Sequence, residues 1–147
     1  MTVHLVKLCV GIDTVQDLRE WQAERLHSLA VAGQTPELCH RTMQAPRRRA
    51  DVLDGGSLYW VIKGFVLVRQ RIVDFKAATK DNGTACCGIL LDPELVQTRP
   101  HPRRAFQGWR YLEVADAPED ARALESAHED MPPGMREDLR ELRLIDW

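Results

Sequence analysis

Long apolar runs are missing from this chain of 147 residues. The longest, such as Gly88 to Leu91 or Ser57 to Ile62, fall well short of the roughly 20 residues that a helix needs to cross a bilayer, so no membrane partner is expected. The amino terminus holds one lysine, Lys7, followed at once by Leu8-Cys9-Val10-Gly11-Ile12-Asp13. It lacks the apolar core and small-residue cleavage site of a secretory signal, and the expected address is the cytoplasm. Cysteine is sparse and badly spaced for metal. Of Cys9, Cys39, Cys86 and Cys87, no two form C-x-x-C, and Cys39 abuts His40 without the loop that a zinc chelate needs. Reduced, free thiols are expected, with no metal and no cofactor. Also absent are the G-x-S-x-G elbow, H-E-x-x-H and the phosphate-cradling G-x-x-x-x-G-K-[ST] frame, so no catalytic residue is assigned.

What the chain does have is segregated charge. Its net charge is only −2, yet residues 41–110 hold 13 Lys or Arg against 6 Asp or Glu, and residues 111–147 hold 4 against 11. A polyanion responds to the local field rather than to the total, so the basic middle is the main functional clue. With 44% hydrophobic and 29% charged residues, the composition suits one globular domain over 1–147, with an acidic helical segment, 115–147, packed on it.

The apolar spacing predicts a strand from His4 to Ile12, then a helix from Thr14 to Ala32. Thr14 is the cap, and Val15, Leu18, Leu26, Leu29 and Ala30 form a stripe with Trp21 at its edge. A strand is expected within Glu37 to Pro46, and a short helix from Arg48 to Leu53 that Gly55-Gly56 stops. Ser57 to Phe75 reads as two strands or one bent at Gly64. Alternation puts Val66, Val68, Gln70 and Ile72 on one face and Phe65, Leu67, Arg69, Arg71 and Val73 on the other. Asn82-Gly83 marks a turn into a buried strand at Cys86 to Leu91. The prolines of Thr98 to Arg104 forbid helix there and predict an exposed extended arm. A strand should follow from Ala105 to Leu112, then helices over Ala121 to His128 and Met135 to Ile145.

One constellation carries the functional reading. Arg47, Arg48, Arg49, Lys63, Arg69, Arg71, Arg99, Arg103, Arg104 and Arg110 are interleaved with Tyr59, Trp60, Phe106, Trp109 and Tyr111. Guanidinium pairs with phosphate in a fork and stacks on bases, and Trp60 and Trp109 are the candidate base-stacking surfaces. Acid, base and nucleophile candidates (His40, His101, Asp54, Asp74, Asp92, Glu94, Ser57 and Cys86) sit in no recognisable frame. Asp54-Gly55-Gly56-Ser57 reads as a turn, or as a backbone nest for an anion.

Two stretches carry a resemblance: Leu53-Asp54-Gly55-Gly56-Ser57-Leu58-Tyr59-Trp60-Val61-Ile62-Lys63-Gly64 with Arg69-Gln70-Arg71-Ile72, and Arg99-Pro100-His101-Pro102-Arg103-Arg104-Ala105-Phe106-Gln107-Gly108-Trp109-Arg110-Tyr111-Leu112. With the opening His4 to Gly11, they resemble a family of small alphaproteobacterial proteins known as domain of unknown function 1489. The likeness spans the whole chain and implies a bacterial cytoplasmic protein; it brings no activity and no site residue. The order of a helix and then strands bearing Tyr-Trp-Val-Ile-Lys-Gly and Arg-Gln-Arg-Ile is also similar to small RNA-binding barrels of the pseudouridine-synthase-and-transglycosylase (PUA-like) type.

The expected fold is therefore α+β: five or six mostly antiparallel strands in a curved sheet, drawn toward a small PUA-like barrel, with the N-terminal helix and C-terminal helices around it. The expected function is a non-enzymatic RNA-binding module with RNA or another polyanion as partner. The alternatives are an enzyme for a nucleotide or other phosphorylated substrate, using His101 or Asp54, and a protein-interaction adaptor or homodimer joining basic middle to acidic tail.

Overall fold

The computed structural model describes residues 1–104 and 106–121. The expected C-terminal helices at Ala121 to His128 and Met135 to Ile145 fall, but for Ala121, outside the described residues. Within them the order is β1 (Val3–Leu8), α1 (Val15–Val31), β2 (Leu38–Thr42), α2 (Arg49–Leu53), β3 (Ser57–Ile62), β4 (Phe65–Thr79), β5 (Ala85–Leu91), β6 (Val96–Pro102) and β7 (Trp109–Glu113), then a 3-10 turn at Val114–Asp116.

The fold class is α+β. Seven strands form one sheet in the order β2-β5-β4-β3-β1-β7, with β6 also on β4. Every pairing is antiparallel except β1 with β3, whose connection runs through α1, β2 and α2. β5 and β6 lie end to end along one edge of the long β4. Asp92 N donates to Arg71 O on that edge, while on the other edge Ile72 N donates to Gly56 O. The sheet is open: β2 and β7 end the strand order and are not paired with each other among the described residues. That pairing is the closure a PUA-like barrel requires.

Both faces of the sheet centre are covered, which is why all six residues of β3 are buried. On the α1 face, Leu5, Leu58, Trp60, Ile62, Val68 and Ile72 pack with Val15 and Leu18 of the helix. On the other face, Val6, Tyr59, Val61, Val66 and Leu112 pack with Phe106 and Ala117.

The faces of β4 differ from simple alternation. Trp60 pairs with Val68 and Val61 with Val66, so Leu67 is an extra residue, and a second shift follows Ile72. A bulge reverses the phase of every side chain beyond it. Phe65 and Leu67 therefore share the α1 face with Val68 and Ile72, and Val66 turns to the opposite side.

α1 begins as expected, with Thr14 Oγ1 accepting from Asp17 N at 3.0 Å. Its buried stripe is Val15, Leu18 and Gln22, not Trp21, which is 57% exposed. Gln22 can be buried because its amide meets Gln70 of β4 reciprocally, at 2.8 and 2.9 Å.

The Thr98 to Arg104 segment is extended, but most of it is no free arm. Its first part belongs to β6, with His101 opposite Val66 and Pro102 opposite Phe65. Proline is tolerated there because an extended strand at the sheet margin leaves its missing N–H unneeded.

Candidate functional site

The ten basic residues named above do not form one face. Arg69 gives Nε and Nη2 to the two carboxylate oxygens of Asp120, each at 2.8 Å, and Nη1 to Ser57 Oγ at 3.0 Å. That fork holds its guanidinium pKa above the ordinary value. Arg48 spans Glu113 at 2.9 Å and Asp51 at 3.1 Å, with its guanidinium over the Tyr111 ring. Arg49 lies over Phe75, donates to the Phe75 carbonyl at 2.9 Å and pairs with Asp74. Arg71 lines a polar cleft of about 480 Å³ that also holds Asp92, Glu94 and Asp120, so carboxylates already flank it. Arg47 and Arg99 are exposed and in no ion pair among the described residues.

The remaining four, Lys63, Arg103, Arg104 and Arg110, lie on the β3–β4 turn, the β6–β7 loop and β7. Arg103 N donates to Gly64 O at 2.8 Å, which pins the β6–β7 loop beside the β3–β4 turn bearing Lys63. The guanidiniums of Arg103 and Arg110 sit 5.5 and 5.3 Å from the centre of the Phe106 ring. Arg104 follows Arg103 in the exposed loop. None of the four has a carboxylate partner among the described residues. Lys63 takes a positive φ of 48°, followed by Gly64 at 85°, the backbone of a tight turn whose twist matches its strands.

Trp60 cannot stack a base. It is 4% exposed, and its Nε1 donates to Gln70 Oε1 at 2.9 Å. The reason is its position on β3, between α1 and the sheet. Trp109 is half-buried; its Nε1 donates to Gln44 O at 2.8 Å, and its ring meets Tyr111 edge-on.

The acid–base candidates are scattered. His101 is exposed on β6, whereas Asp54 is exposed after α2 and bonded by Thr2. Ser57 is buried, and its hydroxyl accepts from Arg69. Asp74 pairs with Arg49, and Asp92 Oδ1 accepts from Glu94 N within its own turn. The Gly55-Gly56 segment is a turn: Gly56 N donates to Val52 O and Ser57 N to His4 Nδ1, so two N–H groups that a nest would aim at an anion are taken. Burial first, and then Arg69, holds the His4 imidazole pKa down, in keeping with its role as acceptor.

His40 is placed differently. A second cleft of about 480 Å³ opens between α1, the end of β1 and β2, and His40 lines it with Trp60. The two rings meet edge-on, with centres 5.1 Å apart. Burial, helped by Lys7, pushes the imidazole down to about 4. Its buried Nε2 has no hydrogen-bond partner among the described residues. Lys7 and Arg25 also line this cleft, although neither stands among the candidate site residues of the sequence. Period-2 spacing holds the missed signal for Lys7. It lies between Leu5 and Cys9, both in the core under α1, so its strand position faces inward.

These features define an α+β domain whose open sheet carries a cleft beside α1 and, about the β3–β4 turn and the β6–β7 loop, cations without carboxylate partners among the described residues. The chain belongs to the family described as protein of unknown function (DUF1489), whose profile matches residues 5–145. No curated protein and no solved structure matches it. No helix among the described residues is long and apolar enough to cross a membrane.

Proposed function

We propose that the protein is an RNA-binding module whose phosphate-binding surface is the corner formed by Lys63, Arg103, Arg104 and Arg110. One observation carries this reading: a backbone hydrogen bond brings the loop of Arg103 and Arg104 beside the turn that bears Lys63, Arg103 and Arg110 lie over one aromatic ring, and none of the four cations has a carboxylate partner among the described residues. Clustered like charges repel one another, so an external anion is the partner they fit. Arginine supplies three of the four, and a guanidinium held over a ring is pre-ordered for the forked approach to phosphate. Stacking, on this reading, comes from guanidinium planes rather than from Trp60. Arg48, Arg49 and Arg69 act within the fold, and Arg47, Arg71 and Arg99 extend the field at longer range.

The test is a salt titration of the protein on single-stranded RNA. Four phosphate contacts give a slope of log K against log salt of about −3, and Arg103→Ala with Arg104→Ala should flatten it by about 1.4 while weakening every sequence alike. Unchanged affinity in that double variant removes the loop from the site. Binding to an acidic polypeptide with no binding to RNA would instead assign the corner to a protein partner.

A further inference from the structure

The cleft under α1 shares no residue with the basic corner and has its own unanswered chemistry. Its floor is apolar, built from Leu18, Leu38, Trp60 and Leu91, and among the described residues no aspartate or glutamate lines it. Two polar side chains there, Lys7 and His40, stand out among the described residues. Lys7 is half-buried, its pKa held down chiefly by burial, and no ion pair neutralises it among the described residues. The buried His40 Nε2 makes no hydrogen bond among the described residues. Both side chains line the same cleft.

An uncompensated ammonium and an orphaned imidazole nitrogen are each costly in a partly desolvated site unless something outside the chain satisfies them. The rim adds a third cation, Arg25, and two apolar groups that reach solvent, Trp21 and Val10. A volume of about 480 Å³ lies in the range of sites that enclose small molecules rather than single ions.

We infer that this cleft binds a small organic carboxylate with an apolar body, its carboxylate held between Lys7 and His40 and its body lying against Ile12 and Trp21 over the apolar floor. Charge selects the anion: among the described residues, cations line the cleft and carboxylates do not. The orphaned Nε2 selects an oxygen head group that can hydrogen-bond to it. The apolar floor selects the body, because a fully hydrated anion would gain nothing from leaving water there. A nucleotide fits less well, since its sugar and base edges would find no polar partners on that floor.

The experiment uses the full chain and the fluorescent aromatic anion 1-anilinonaphthalene-8-sulfonate, with decanoate and decanol as competitors. Saturable binding of one probe per chain is expected, displaced by decanoate at least tenfold more effectively than by decanol. Lys7→Gln should weaken the probe about tenfold with the melting temperature little changed. Arg25→Gln, on an exposed helix position that folding does not need, should weaken it two- to threefold and guards against a Lys7 variant that fails to fold. Unsaturable binding, equal displacement by the alcohol, or wild-type affinity in folded Lys7→Gln would each overturn the assignment. Loss of RNA binding in the Arg103 and Arg104 variant leaves this result untouched, so the two proposals fail separately.

Discussion

Gln70 is the polar keystone of the α1 face, and its removal has a calculable consequence. It is 0% exposed and uses its whole hydrogen-bonding capacity. Oε1 accepts from Gln22 Nε2 at 2.8 Å and Trp60 Nε1 at 2.9 Å, while Nε2 donates to Gln22 Oε1 at 2.9 Å and Asp92 O at 3.0 Å. Gln70→Ala strands the indole N–H, the Gln22 amide and the Asp92 carbonyl together, at about 1–3 kcal/mol each before any water enters. A total near 4 kcal/mol is expected, about 8–16 °C in Tm for a chain of this size. Gln22→Ala leaves Gln70 still bonded to Trp60 and Asp92, so about 1–2 kcal/mol is expected. In the double variant the second loss should be small, because Gln22 is already stranded once Gln70 is gone; the coupling is about 1–3 kcal/mol. Urea unfolding followed by tryptophan fluorescence measures all four proteins, with a constant m-value as the check that the states are comparable. Equal costs for the two single variants, or simple additivity, would refute the network as drawn.

His40 gives a pH signature: its folded pKa of about 4 lies below its ordinary 6.5, so between those values the unfolded chain takes up a proton that the folded one refuses. Stability should be full above pH 6.5 and fall by up to about 3 kcal/mol toward pH 4, and His40→Phe should remove that part of the loss; an unchanged pH profile would contradict it. Gly56→Ala should cost at least about 3 kcal/mol or prevent folding, since its Cβ would collide with the backbone carbonyls of Val52 and Val3. Gly11→Ala, which meets only open space at positive φ, should cost about 1 kcal/mol, and equal thermal shifts would refute the contrast. Lys63→Asn should stabilise the β3–β4 turn by about 0.5–1 kcal/mol, because asparagine accepts positive φ more readily, yet weaken RNA binding by removing one phosphate contact. Calorimetry and the salt titration on one sample test both halves, and a variant improved in both would argue against a binding role for this lysine.

The fold was legible where local chemistry decides it. Thr14 as a cap, Asn82-Gly83 as a turn, and the apolar run of β3 each act through their neighbours in sequence, and each stands where the residues place it. The faces of β4 were not, because one extra residue at Leu67 exchanges its two sides, and nothing in Phe65-Val66-Leu67-Val68 marks the bulge. The buried stripe of α1 takes in Gln22 rather than Trp21, which the spacing puts at the stripe's edge, for a related reason. Hydropathy ranks tryptophan as the core residue, but a glutamine is buried at little cost when a second glutamine, 48 positions away, completes it. Seven strands rather than five or six follow from the same limit: β6 is a proline-bearing segment whose strand character comes from its partner, not from its own propensity.

The charge map needs the same correction, in the opposite direction. Thirteen cations against six anions in residues 41–110 describe a strong field only while those cations are free. Folding removes Arg48, Arg49 and Arg69 from it, two of them through carboxylates of the acidic C-terminal part, Glu113 and Asp120. The segregation along the chain is thus partly a device of assembly, drawing residues 111–121 back across the sheet face that Tyr59 and Val61 would otherwise expose. The cations left over are not a random remainder, because three of the four at the β3–β4 turn come from a single loop and its following strand, and Gly64 O anchors that loop. Among the described residues no carboxylate pairs with those four cations and none lines the cleft beside Lys7, and that charge pattern is what the two proposed anion sites rest on.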